Sequence, residues 1–382
     1  MTNHVQYVGC DDKDLQLFES QYAVPDGMCY NSYLVRAERT AVMDSVDARK
    51  SKEWLENLQT ALQGHQPDYL VIQHMEPDHS GSIQDFLTKY PQTTIVCSAK
   101  AQPMLSQFGI SCILIQAVKE GDTLDLGGLT LRFMMAPMVH WPEVMMTYLV
   151  EDKTLFSADA FGKFGVYDAD PDDWSCEARR YYFNICGKYG APVSLIMKKA
   201  SALDIETICP LHGPVLEGAK LSEALRLYSI WSSYEVETKG VLIAHASIHG
   251  NTARAAEELA QLLRERGETK VVVTDLCRDD MAEAIEDAFR MDRMVVCASS
   301  YDNNVFPPMH QFLWKLQQKS YQRRRVGIVE NGSWAPSAGR EMRAMLEEMK
   351  EIEIIAPMVT IKSSLQADSR QQLTQLADAL VS

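Results

Sequence analysis

Nine cysteines are spread along the sequence without a single Cys-x-x-Cys pair, so neither a zinc knuckle nor cysteine ligation of an iron–sulfur cluster is on offer. An odd, scattered set of thiols fits a reducing compartment. Any metal must therefore be held by imidazole and carboxylate. Long apolar runs are also missing. No stretch nears the ~18 uncharged apolar residues that cross a bilayer, and Asp11, Asp12, Lys13 and Asp14 interrupt any signal-peptide core. A cytoplasmic protein with no membrane partner is expected. Positive charge is scarce: 37 Lys and Arg stand against 52 Asp and Glu, a net charge of -15 with pI ≈ 5.1. Such a chain repels phosphate backbones, and its one basic run, Arg323-Arg324-Arg325, is expected to be a solvated strand edge rather than a nucleic-acid site. Low-complexity segments and internal repeats are absent.

What is present is an ordinary globular balance, 46% hydrophobic and 23% charged over 382 residues, enough for two or three domains with full cores. Between about residues 28 and 215, short apolar strands alternate with turns and a few helices. The runs 31–36 and 41–46 flank a polar turn and predict a hairpin. Trp54, Leu55, Leu58 and Leu62 share one helical face. Strands are expected over 68–73, 94–98, 129–135, 145–150, 154–157 and 205–208. After a polar helix ending near 232–240 the texture changes. Strands at 241–245, 271–275, 294–298, 326–330 and 352–359 alternate with helices, the pattern of a parallel doubly wound sheet. Two domains are expected, 1–239 and 240–382.

The first of these domains concentrates metal-binding chemistry. His74, Glu76, Asp78 and His79 lie within six residues at the end of the strand 68–73. His140, Asp159 and His212 each come after a later strand, where a sheet-based site assembles its loops. Alone, His140 or His212 reads as a surface or satisfied core histidine. The six-residue cluster does not, because packing does not ask for two imidazoles and two acids so close together.

In the second domain, three loops come after successive parallel strands, at the carboxyl ends where open α/β sheets bind ligands. The first carries Ser247, His249, Gly250, Asn251 and Thr252 and opens a helix, a phosphate site without a cation. The P-loop signature is absent, so a nucleoside triphosphate is not expected, and the neutral cradle suits the phosphate of FMN. The second loop carries Ser300, Tyr301, Asp302, Asn303 and Asn304, and the third Asn331, Gly332, Ser333 and Trp334. Their amides and aromatics can meet a flavin's edge and face. Taken singly, such loops simply turn a chain.

His-x-Glu-x-Asp-His, followed by a single His, a single Asp and a His-Gly, resembles the flavodiiron (A-type flavoprotein) branch of the metallo-β-lactamase fold, and residues 241–382 resemble flavodoxin. The resemblance spans nearly the whole chain. It implies an N-terminal αββα sandwich, a C-terminal flavodoxin-like doubly wound sheet, FMN and two Fe ions. It assigns His74, Glu76 and His140 to one iron and Asp78, His79 and His212 to the other, with Asp159 bridging and no catalytic residue beyond these ligands. Zinc hydrolases of the superfamily normally have His where this chain has Glu76, and a carboxylate there hardens the site and offsets higher-valent iron. The implied activity passes electrons from FMN to the irons and reduces O2 to water, NO to N2O, or both. An external donor such as rubredoxin and a head-to-tail homodimer or tetramer are implied too. Many relatives carry a His within the segment that is here 19–27; this chain has none, leaving Gln21 or Tyr22 as replacements near one iron. Tyr181 or Tyr182 could offer a hydroxyl to the pocket, or simply pack. Two other functions remain open from the sequence: a zinc hydrolase with an attached flavodoxin module, and an electron carrier in which only FMN works.

Overall fold

The computed structural model describes residues 2–111, 114–168 and 173–382; Cys112 lies outside them. The chain divides into two units, Met1–Ser229 and Ile230–Ser382. The sequence placed the divide near residue 239. It falls earlier because residues 233–235 are bound into the second unit: Arg324 donates to the Tyr234 carbonyl at 2.9 Å and Arg323 donates to that of Ser233.

The first unit contains two six-stranded sheets. One runs Val5–Tyr7, Tyr33–Arg36, Thr40–Met43, Tyr69–Ile72, Thr94–Ser98, Ile115–Val118 in spatial order. The other runs Thr123–Asp125, Thr130–Met135, Met145–Leu149, Thr154–Phe156, Thr207–Cys209, Leu216–Glu217. The expected hairpin is present, with Tyr33 opposite Met43. Side chains alternate along each strand. Tyr33, Val35, Ala41, Met43, Val71 and Val96 meet Leu131, Phe133, Met145, Leu149 and Phe156 of the second sheet in one core. Their neighbours Leu34, Val42, Leu70 and Ile95 are just as buried on the opposite face, so this sheet is covered on both sides. The helix Ser51–Leu62 buries Trp54, Leu58 and Leu62, and Trp54 stacks on Phe86 at 5.7 Å. Strands Cys10–Asp12, Leu17–Phe18, Tyr22–Ala23 and Met28–Tyr30, which the alternation pattern did not reveal, form two small extra ribbons. They are too short to show a period.

The second unit holds a parallel sheet in the order Val271–Asp275, Thr238–Ala246, Met291–Tyr301, Arg325–Asn331, Glu353–Ile361. Numbered along this unit that is 2-1-3-4-5, the flavodoxin order. Helices Asn251–Glu265 and Ala367–Val381 lay Ala255, Leu259, Leu263, Leu373, Leu376 and Leu380 against it. Within the basic run at 323–325, Arg323 is exposed as expected, but Arg324 is not. Arg324 is buried and donates to the carbonyls of Met291 (2.8 Å) and Phe289 (2.5 Å), so its charge closes strand and helix ends instead of facing water. Among the described residues, no helix is long and apolar enough to cross a membrane.

Candidate metal centre and flavin pocket

The strand Tyr69–Ile72 stops where the buried carboxylate of Asp44 takes over its hydrogen bonding. Asp44 accepts from the Gln73 backbone N–H at 2.7 Å and from Gln73 Nε2 at 2.9 Å. Burial pushes its acid up to about 6, against the pull of those donors. Next comes a single helical turn, Pro77–Ser80, with Glu76 before it and proline in its first turn, where the missing N–H costs nothing. That turn aims Glu76, Asp78 and His79 inward from one short segment. His140 arrives on the loop between Thr130–Met135 and Met145–Leu149. Asp159 lies just past Thr154–Phe156, and His212 just past Thr207–Cys209. The last loop is held by Asn31, whose side-chain amide donates to the carbonyls of Pro210 (2.8 Å) and Gly213 (2.7 Å). Gly162 is required here: a Cβ would stand 2.9 Å from the Asp159 carbonyl and 3.3 Å from His212 Cβ.

All seven residues converge in two groups, His74, Glu76, His140 and Asp159 in one, Asp78, His79 and His212 in the other. His74 Nε2 lies 3.2 Å from Glu76 Oε2, and His140 Nε2 lies 2.9 Å from the same oxygen. Across the site, His79 and His212 face each other through their Nε2 atoms at 3.1 Å, each 3.3 Å from Asp78 Oδ2. Asp159 spans both groups. Its Oδ2 stands 3.3 Å from His74 and 3.2 Å from His140, while its Oδ1 stands 3.1 Å from His79.

Sequence reasoning missed the partners that orient these rings. His74 Nδ1 donates to Glu143 Oε1 at 2.8 Å, and the same oxygen accepts the Met75 N–H at 2.9 Å. His212 Nδ1 donates to the Cys29 carbonyl at 2.7 Å. With Nδ1 carrying the proton, each Nε2 turns its lone pair inward, as a metal ligand must. Glu143 comes three residues after His140, but nothing in that spacing says it reaches His74. A backbone carbonyl leaves no sequence signal at all.

Charge is set by the packing. Burial alone would raise Glu76, yet contact with the His140 and His74 imidazoles holds it well below the usual carboxylate range. Asp159 is likewise lowered against burial, chiefly by His74. His140, which burial would lower, is raised to about 9 by Asp159 and Glu76. Both oxygens of Asp78 and one of Asp159 are buried and accept no hydrogen bond. Three acids, two of them buried, and four inward nitrogens fit a pair of cations.

Of the hydroxyls weighed from the sequence, Tyr181 faces this site. Its ring lies 5.5 Å from His212, and burial, with Asp159 next, raises its phenol. Tyr182 packs on Phe183 and Tyr228. In the segment 19–27, Tyr22 donates away, to the Asn184 carbonyl at 3.2 Å. Glu19, rather than Gln21 or Tyr22, lines a cavity of about 350 Å³ together with Glu76 and Asp78.

In the second unit the three expected loops enclose a cavity of about 430 Å³. Ser247, His249, Asn251, Thr252, Ser300, Tyr301, Asp302, Asn303, Asn331, Gly332, Ser333 and Trp334 line it, and no Lys or Arg does. Gly250 and Asn304 do not line it. Gly250 supplies a left-handed turn (φ 86) at the start of the helix Asn251–Glu265, and the Asn304 carbonyl accepts from Ser337 Oγ. Ser363, after the last strand, lines the cavity too and was overlooked. The same strand-end rule would have found it. The helix N-terminus, the hydroxyls and the lack of a cation fit a phosphate monoester, and the aromatic loop tips fit a flat ring system.

Fold and site together define a metallo-β-lactamase-like domain with a dinuclear metal constellation, joined in one chain to a flavodoxin-like domain. Residues 28–213 match the model of the ODP family beta lactamase. The chain is 29% identical to the anaerobic nitric oxide reductase flavorubredoxin of Vibrio vulnificus over 91% of its own length and 72% of the relative's. Its structure resembles rubredoxin oxygen:oxidoreductase from Desulfovibrio gigas (TM-score 0.93, 25% identity, covering 100% of this chain and 96% of that one). It also resembles a flavoprotein of Thermotoga maritima (TM-score 0.89, 25% identity, covering 99% and 95%). Over nearly its whole length the chain is thus similar to flavorubredoxin and flavodiiron proteins.

Proposed function

We propose that this protein is a flavodiiron oxidoreductase that reduces O2 to water, NO to N2O, or both. The observation that carries the reading is Asp159, one carboxylate with an oxygen toward each histidine group, alongside Glu76 where a zinc hydrolase would have an imidazole. His74, Glu76 and His140 would hold one iron, Asp78, His79 and His212 the other, and Asp159 would bridge them. The pocket of the second unit would hold FMN through Ser247, Asn251, Thr252 and the loops at 300–303 and 331–334. Bound there, the flavin and the two irons would supply the one-electron chemistry that the polypeptide lacks.

The chain's own residues contribute orientation and exclusion. Glu143 and the Cys29 carbonyl fix the Nδ1 protons of His74 and His212. Phe18 and Tyr181 wall the His212 ring edge-on and aslant at 5.4 and 5.5 Å, keeping bulk water off that side. An external electron-transfer protein such as rubredoxin would be the donor, and a homodimer or tetramer in the cytoplasm the working form. The test is to mix the fully reduced protein anaerobically with each gas, monitoring flavin reoxidation and product. Reoxidation no faster than that of free flavin refutes the proposal. Glu76 disfavours the zinc-hydrolase alternative, and two zincs with little iron after anaerobic purification would revive it.

A further inference from the structure

The metal centre has a charged mouth. Its histidines are sealed: His74, His79 and His212 are fully buried. The cavity beside Glu76 and Asp78 opens between Phe18, Glu19, Tyr30, Asp47 and Arg49. Glu19 sits at the tip of the hairpin Leu17–Phe18/Tyr22–Ala23, in a turn closed by Gln21 N–H on the Phe18 carbonyl at 3.0 Å. Both central residues, Glu19 (φ 47) and Ser20 (φ 57), are left-handed, a conformation that Gly or Asn would take at less cost. Among the described residues, the Glu19 carboxylate makes no direct ion pair; it accepts from Gln21 Nε2, at 3.2 Å. Asp47, by contrast, is engaged by Arg49 at 2.9 Å, and Arg49 also donates to Tyr30 at 2.7 Å. Inside the same cavity, Asp78 is 8% exposed and neither of its oxygens accepts a hydrogen bond.

A carboxylate at this opening does nothing for a neutral diatomic gas. It does attract cations, and a divalent ion most of all. We infer that Glu19 is the outer carboxylate of a metal-loading route, capturing a divalent cation at the mouth and passing it to Asp78 and Glu76, while Arg49 opposes entry by its own charge and by occupying Asp47. This rests on the metal centre proposed above. Only ligand exchange is involved, so no redox partner is needed.

The test is stopped-flow uptake of cobalt(II) alone by the full chain after chelation of its metals, read by the ligand-field absorption of bound cobalt. At low ionic strength Glu19→Gln loads about three- to tenfold more slowly than wild type, and Arg49→Gln loads faster, with final stoichiometry unchanged. Both differences shrink in high salt, and Glu347→Gln, which removes an acid from the other unit, changes nothing. Opposite signs at Glu19 and Arg49 would not arise from damage to the fold. Equal rates in wild type and Glu19→Gln overturn the loading route alone. A wild-type chain that takes up no cobalt overturns the metal centre as well.

Discussion

The two units solve opposite binding problems with opposite materials. The first gathers side chains: seven acids and imidazoles, nearly all buried, with His74 and His212 each aimed by a second residue. The second gathers backbone and hydroxyls around a cavity with no Lys or Arg, using loops at the ends of parallel strands. Multivalent cations demand formal charge and fixed lone pairs, so their ligands cannot be exchanged freely. A phosphate and a flat ring can be held by amide N–H groups and aromatic faces, to which many side chains are adequate. Damage should therefore be sharp and confined in the first unit, graded in the second, and neither should cross over.

The largest effect that would break this contrast is at Asp159. Asp159→Ala should lower gas-driven flavin reoxidation by about three orders of magnitude, because this one residue would serve both proposed metal positions. Elemental analysis should show metal lost, while flavin absorbance stays at one per chain. Coincident loss of FMN would refute the separation. Glu143→Gln should weaken metal binding about 10–100-fold without touching a ligand, measured by competition with a chelator. Unchanged affinity would mean that His74 needs no orienting carboxylate. On the flavin side, Gly332→Val should weaken FMN about tenfold. Even a Cβ there would stand 2.8 Å from Pro336 Cα, so the loop must shift. Fluorescence titration of the flavin-free chain reads this, with metal content as the internal control. Smallest is Trp334→Ala, expected to weaken FMN about threefold. The ring is 93% exposed, and stacking on one flavin face is all it has to lose.

The same contrast explains what could be read from the sequence. His74, Glu76, Asp78 and His79 announced themselves because a strand end and one helical turn bring them together locally. His140, Asp159 and His212 were legible only by joining them to that cluster. Glu143, Asp44 and the Cys29 carbonyl were not legible, since their importance comes from where distant segments cross. Strand-and-helix alternation exposed the parallel sheet and its three loops, whereas Ser363 follows the last strand in a segment, 362–365, that carries neither the glycine nor the aromatic marking the other loops. Arg324 was misjudged for a related reason: a charged run looks solvated until the carbonyls it satisfies, at Met291 and Phe289, are seen beside it. The short ribbons that set Glu19 over the metal cavity carry no periodicity, and only the folded chain reveals them.

The loops around the flavin pocket are tied to one another by their own hydrogen bonds. Thr252 Oγ1 lies 2.9 Å from Ser299 Oγ, Ser300 Oγ accepts the Ser337 N–H at 2.8 Å, and Asn331 exchanges hydrogen bonds with Ser363. Beneath them Glu330 ties the Gly339 N–H to the Thr360 hydroxyl. Cross-braced in this way, the pocket is a socket more than a clasp. Little ordering remains for the moment of binding, so the contacts made with the flavin go into holding it rather than into shaping its housing.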